Sequence, residues 1–147
     1  MRCAVARRED STSMYASAPA SFCLIEGYAA RFNQIDMIGD TVRPGAFRRA
    51  LAQDAEIKML LQHVPGASIG RWSRLVEDGL GLFVRGVVEN DAARALIQTG
   101  LNGLSIGFHA RLWSPTRAGG RRLAEIDLVE ISLVAEPMQR AARFEVV

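Results

Sequence analysis

Residues 102–113 read NGLSIGFHARLW. Apolar side chains fall at Leu104, Ile106, Phe108, Ala110 and Leu112, with Ser105, Gly107, His109, Arg111 and Trp113 between them. A period of two held over ten residues is that of a strand buried on one face. The stretch predicts a strand over 104–113. Upstream, Asn90 and Gly100 bracket NDAARALIQTG as the N-cap and the stop of a helix of roughly nine residues. Downstream, SPTRAGG (114–120) reads as a turn and RRLAEIDLVEISLVAEP (121–137) as the last long strand, ended by Pro137.

The remaining segments follow the same grammar. FCLIEGYAARF (22–32) is a strand bending at Gly27, NQIDMIGDTVRPGAF (33–47) is a loop punctuated by Gly39 and Pro44-Gly45, and AFRRALAQ (46–53) is a short helix. EIKMLLQHVPG (56–66) reads as a strand with Ile57, Met59, Leu61 and His63 on one face, stopped by Pro65-Gly66. RWSRLVEDGLGLFVRGVV (71–88) is two strands joined through Asp78-Gly79, a strong hairpin signal. Six or seven strands with two or three short helices predict a mainly β (α+β) chain. Its antiparallel sheet is expected to close into a barrel or sandwich with the helices packed outside.

Composition limits what such a chain does. Its 147 residues are 49% hydrophobic and 23% charged, enough for one domain with its own core. Residues 1–21 carry no period and predict a flexible N-terminal arm, leaving 22–147 as a single domain. The net charge of +2 comes without a basic stripe interleaved with aromatics, so no direct nucleic-acid partner is expected. No apolar run suffices for a membrane span, and the N-terminus lacks the apolar core of a signal peptide, which predicts a cytoplasmic protein. Cys3 and Cys23 have neither C-x-x-C spacing nor histidines at ligand intervals; they read as reduced thiols, and no metal or cofactor is expected.

Ser105 is the residue with the most chemistry to offer, provided a base and a group that orients the base come to it. His109 shares its strand face but stands four residues on, about 13 Å away at ~3.3 Å per residue, too far for a direct base. His63 comes from another strand's end, where it is either that base or a cap on a sheet edge. By parity Glu130 lies in a row with Ile126, Leu128, Ser132 and Val134, opposite Asp127, Glu125, Val129 and Ile131. A carboxylate in an apolar row is costly unless paired, so Glu130 is either an orienter of an imidazole or an edge residue reaching solvent. Gly103 and Gly107 mark a close approach by a backbone or a ligand, or a bulge at a barrel corner.

EGYAARFNQIDMIGDTVRPGAF (26–47), IKMLLQHVPGASIGRW (57–72), GLSIGFHA (103–110) and LAEIDLVEISLVAEPMQRAA (123–142), in that order, resemble the prohead proteases of tailed phages and of gene transfer particles. These serine peptidases are related in fold to herpesvirus assemblins. The resemblance implies an assemblin-like closed antiparallel β-barrel, a nucleophile at Ser105, a base at His63 and no cofactor. It implies an acidic third member at Glu130, with Asp127 in reserve; the second histidine that assemblins use has no counterpart in His109. Acyl transfer also needs N–H donors for the oxyanion, which the loop AEPMQR (135–140) would supply near Met138 or Gln139. The implied substrates are the scaffolding segment of the major capsid protein, other prohead proteins and the protease itself, inside a prohead assembling in the host cytoplasm. A homodimer is expected, and the N-terminal arm and arginine-rich C-terminal end are candidate self-cleavage or targeting segments. The alternatives are a catalytically silent scaffold or assembly chaperone of the same fold, and an unrelated small-ligand barrel.

Overall fold

The computed structural model describes residues 22–147, so the arm expected over 1–21 lies outside the described residues. Eight strands and two helices follow in order: β1 (Cys23–Arg31), β2 (Thr41–Val42), α1 (Arg48–Ala52), β3 (Lys58–Leu61), β4 (Gly70–Glu77), β5 (Gly81–Val88), α2 (Asp91–Gln98), β6 (Gly103–Pro115), β7 (Arg121–Val134) and β8 (Phe144–Val146). The mainly β expectation holds. The hairpin between β4 and β5 turns where Asp78-Gly79 predicts it, with Asp78 Oδ1 accepting from the N–H groups of Leu80 (2.8 Å) and Gly81 (3.1 Å). Asn90 caps α2 by accepting from Ala93 N–H at 3.0 Å, and Gly100 takes a positive φ of 114° just past the helix.

β7 organises the sheet. One edge pairs antiparallel with β6 along its whole length; the other pairs in parallel with β2 near Arg122 and with β3 from Glu130 to Leu133. From β3 the sheet continues through β4, β5 and β1 to β8. Two expectations need correction. The sheet is mixed rather than antiparallel throughout, and it is not a closed barrel. β8 has three residues and spends them on β1; toward β6 the described residues offer only the Gly103–Arg143 bridge and two flanking hydrogen bonds, Leu104 N–H to Ala142 O and Phe144 N–H to Asn102 O. A barrel needs a continuous ladder at that seam.

Most buried apolar side chains form one cluster, with Ile106 packed against it; Leu104 and Leu133, then Ile106 and Ile131, face each other across β6 and β7. Burying each such Leu or Ile contributes about 1.5–3 kcal/mol. Gly27 answers to β8: a Cβ there would sit 2.0 Å from Arg143 O. Cys23 is fully buried as a packing residue of the core, and the reduced thiol expected at Cys3 lies outside the described residues. Leu112, placed by parity in the core row, is exposed, because β6 and β7 slip in register between Ala110 and Leu112.

Candidate active site

β3 ends at Leu61, two residues before the imidazole it was expected to carry. Gln62 and His63 adopt left-handed backbone conformations (φ 52° and 59°), which removes His63 from the strand's alternation. Consecutive non-glycine residues in this region are strained by about 1–3 kcal/mol each, so neighbours must hold them. Gln62 N–H donates to Leu133 O at 2.9 Å and His63 N–H to Ser132 Oγ at 3.1 Å, both on β7. The turn leaves the His63 side chain 44% exposed while its Nδ1 lies 2.5 Å from Glu130 Oε1. A carboxylate only accepts, so Nδ1 carries the proton, and in the neutral imidazole the lone pair is then on Nε2.

Glu130 reaches this position because β7 is bulged. Gly107 pairs with Glu130 but Phe108 pairs with Leu128, so Val129 is the extra residue. Cross-strand partners share a face. Glu130 therefore stands with Ser132, Gly107 and Ser105, and Leu128 and Ile126 turn to the core. The apolar row expected for Glu130 is broken at Val129, and Asp127, expected on the opposite face, lies on the same one. The Glu130 side chain is 10% exposed, and both its oxygens are engaged: Oε1 by His63 and Oε2 by the Ser132 hydroxyl, which donates at 2.6 Å. A Cβ on Gly107 would fall 2.3 Å from Oε1, so only glycine leaves the carboxylate its place.

Ser105 pairs with Ser132 across the β6–β7 ladder and is 7% exposed. It is not hydrogen-bonded to His63. The two glycines beside it mark close approach of protein groups: Gly107 makes way for Glu130, and a Cβ on Gly103 would lie 2.4 Å from Val134 O. A cavity of about 20 Å³ lies beside Ser105, with Met138, Gln139 and Asp36 in its wall. Met138 O accepts from Met37 N–H at 3.0 Å. The buried Gln139 side chain pins the loop to β1, accepting from Arg31 N–H at 2.7 Å and donating to Arg31 O at 3.0 Å. Burial pushes the Asp36 carboxyl above its ordinary range, against the pull of N–H groups donated by Asp40 and Ile38.

Asp127 and His109 pair with each other in register further along the same strands. Asp127 accepts from Arg49 at 2.8 Å and from Arg111 at 3.4 Å, and has no bond to His63. The structure thus brings His63 and Glu130 together, sets Ser105 two residues along the ladder on the same face, places Met138 and Gln139 beside Ser105, and leaves Asp127 and His109 outside. The sequence reading passed over Ser132 and gave Gly107 no definite partner. A serine two residues from a strand-borne acid, and a glycine opposite that acid, were the available signals.

Residues 11–147 match the family described as Caudovirus prohead serine protease. Over 107 residues the sequence is 37% identical to the prohead protease of Enterobacteria phage HK97; the match covers 67% of this chain and 48% of the phage protein. The chain therefore spans about half the length of the curated relative it matches. In three dimensions it is similar to a KSHV protease solved with a hexapeptide phosphonate inhibitor (TM-score 0.60, 14% identity, 86% of this chain and 65% of that one). It is also similar to the capsid assembly protease of bacteriophage T4 (TM-score 0.61, 17% identity, 81% and 84%). Likeness at these identities establishes the fold, in agreement with the assemblin-like expectation.

Proposed function

The chain belongs to the Caudovirus prohead serine protease family, and we propose that it is a serine endopeptidase that matures a phage-like prohead by cleaving capsid or scaffolding segments and itself. The observation that carries this reading is the 2.5 Å contact of His63 Nδ1 with a buried Glu130 carboxylate, two residues along the ladder from Ser105 and on the same face. In this mechanism His63 Nε2 takes the Ser105 hydroxyl proton as Oγ attacks the scissile carbonyl, and Glu130 stabilises the imidazolium that forms. The tetrahedral oxyanion is held by N–H groups of the 138–139 loop. The imidazolium then protonates the leaving amine, leaving an acyl-serine that water hydrolyses with His63 again as base. The missing Ser105–His63 hydrogen bond fits a free enzyme in which that contact tightens when substrate binds. The protein acts on capsid and scaffolding subunits inside the prohead, in the host cytoplasm, as a homodimer.

Co-expression with its capsid protein tests the reading. A shortened capsid band is expected with the native chain. Ser105→Ala and His63→Ala should each remove it, because losing nucleophile or base costs on the order of 10⁴- to 10⁶-fold. Cleavage that persists in Ser105→Ala overturns the assignment, and no cleavage by the native chain would favour the silent scaffold.

A further inference from the structure

We propose that Ser132 is the positioning residue of this site: its single hydroxyl holds both the strained turn that carries His63 and the carboxylate that faces the imidazole. The inference rests on the serine-protease reading above and adds to it a residue that makes no hydrogen bond to Ser105 and acts through His63 and Glu130. Ser132 lies on β7, the middle of three strands. In register it stands opposite Leu60 of β3, whose end leads into the His63 turn, and opposite Ser105 of β6.

A hydroxyl has one proton to donate and lone pairs to accept with. Ser132 donates to Glu130 Oε2 at 2.6 Å and accepts the His63 N–H at 3.1 Å. The residue is fully buried, so solvent is not at hand to replace either bond. Removing the hydroxyl strips one of the two backbone anchors from the left-handed Gln62–His63 pair and leaves Oε2 unsatisfied. It also concentrates negative charge on the carboxylate, which then holds the imidazolium form of His63 more tightly. The other charged side chain facing this pair in register is Lys58, opposite Glu130 on β3, and it is unchanged by the substitution.

The test uses the full chain with a fluorophosphonate probe, whose labelling rate reports nucleophile reactivity, beside proton NMR of the His63 Nδ1–H in a His109→Gln background that leaves one imidazole. Ser132→Ala should slow labelling about 10²-fold, as for a small misplacement of a reacting group. It should also move the acid limb of the labelling profile to higher pH and shift or broaden the low-field Nδ1–H signal. Ser132→Thr, which keeps the hydroxyl, should restore most of the rate. In a Glu130→Gln background, Ser132→Ala should cost less than about threefold more, because residues acting as a unit are not additive. Should Ser132→Ala fail to fold, Ser132→Cys carries the same comparison with a thiol that bonds weakly. A folded Ser132→Ala (or Cys) with native labelling, an unmoved acid limb and an unchanged Nδ1–H signal overturns the proposal. Full additivity with Glu130→Gln does so as well. If Ser105→Ala still labels at the native rate, the protease reading is what fails, and the NMR comparison continues to test Ser132 by itself.

Discussion

The two halves of β7, on either side of Val129, both put carboxylates on the outer face of the sheet: Glu125 and Asp127 before the bulge, Glu130 behind it. Before the bulge, Asp127 is 37% exposed on its side chain and sits between Arg49 and Arg111. Behind it, Glu130 is nearly buried and meets an imidazole and a hydroxyl. The strand, the face and the chemical class are shared, so the difference lies in the neighbours. A carboxylate already neutralised by two guanidiniums in contact with water has little left with which to orient a base. One withdrawn from water, with no arginine beside it and one oxygen fixed by Ser132, can hold an imidazole in a single tautomer. The one extra residue at Val129 puts Asp127 and Glu130 on this same face, yet only Glu130 lands beside His63.

The strongest way to break this contrast is to remove the charge behind the bulge. Glu130→Gln keeps the shape but can present an amide N–H to Nδ1, favouring the wrong tautomer of His63. The expected loss is about 10⁴-fold in fluorophosphonate labelling or capsid cleavage, the scale seen when an orienting acid becomes an amide. A loss below tenfold would mean that Glu130 is structural and the two halves are equivalent.

The second test acts on Glu130 without touching it. A Cβ at Gly107 meets Oε1 at 2.3 Å, and the far end of a flexible side chain gives way before backbone does. Gly107→Ala should therefore displace the carboxylate from His63 and slow labelling about 10²-fold, with little change in thermal stability. Gly103→Ala is its counterpart. There the obstacle is the Val134 carbonyl at 2.4 Å, which cannot swing aside, so the expected effect is a stability loss of about 1–3 kcal/mol by thermal denaturation. Equal effects of the two substitutions on activity and stability would remove the distinction between a site glycine and a packing glycine.

Much of this arrangement was legible in the residues, for reasons specific to each element. The alternation of 104–110, the Asp78-Gly79 turn and the Asn90 cap are local signals, and each reappears where local physics places it. β2 and β8, of two and three residues, are too short to show any period. The parallel pairings of β7 depend on where the chain returns after long connections, which no window of sequence contains. The open seam between β6 and β8 was hidden likewise, since strand count alone cannot tell a curled sheet from a closed one. At the site, His63 and Glu130 were singled out by their positions, each beside a bland alternative that the resemblance decided against, while parity gave the wrong face relation between Glu130 and Asp127. Parity assumes an unbroken pleat, and one bulge reverses it for everything beyond. Ser132 looked like filler because its role exists only once three strands are side by side.

The smallest expected effect belongs to the reserve acid. Asp127→Asn removes the partner of Arg49 and Arg111 from a surface where ion pairs are screened and each is worth about 0–1 kcal/mol. Labelling should change by less than tenfold, and the stability difference should shrink further in high salt, where exposed pairs weaken most. The substitution nonetheless discriminates sharply. If the third member lay before the bulge, Asp127→Asn would match Glu130→Gln in size, and His109, its register partner, would have to replace His63 as base. His109 is four residues along the strand from Ser105, and a rigid ladder cannot bring the two together. Sliding β6 against β7 leaves that separation unchanged, so a large loss from Asp127→Asn would instead mean that its contacts with Arg49 and Arg111 hold the two strands in register and that the variant slips at the bulge. Hydrogen exchange at Phe108 and Val129 would reveal that slip directly, and protection there equal to that of the flanking residues would rule it out.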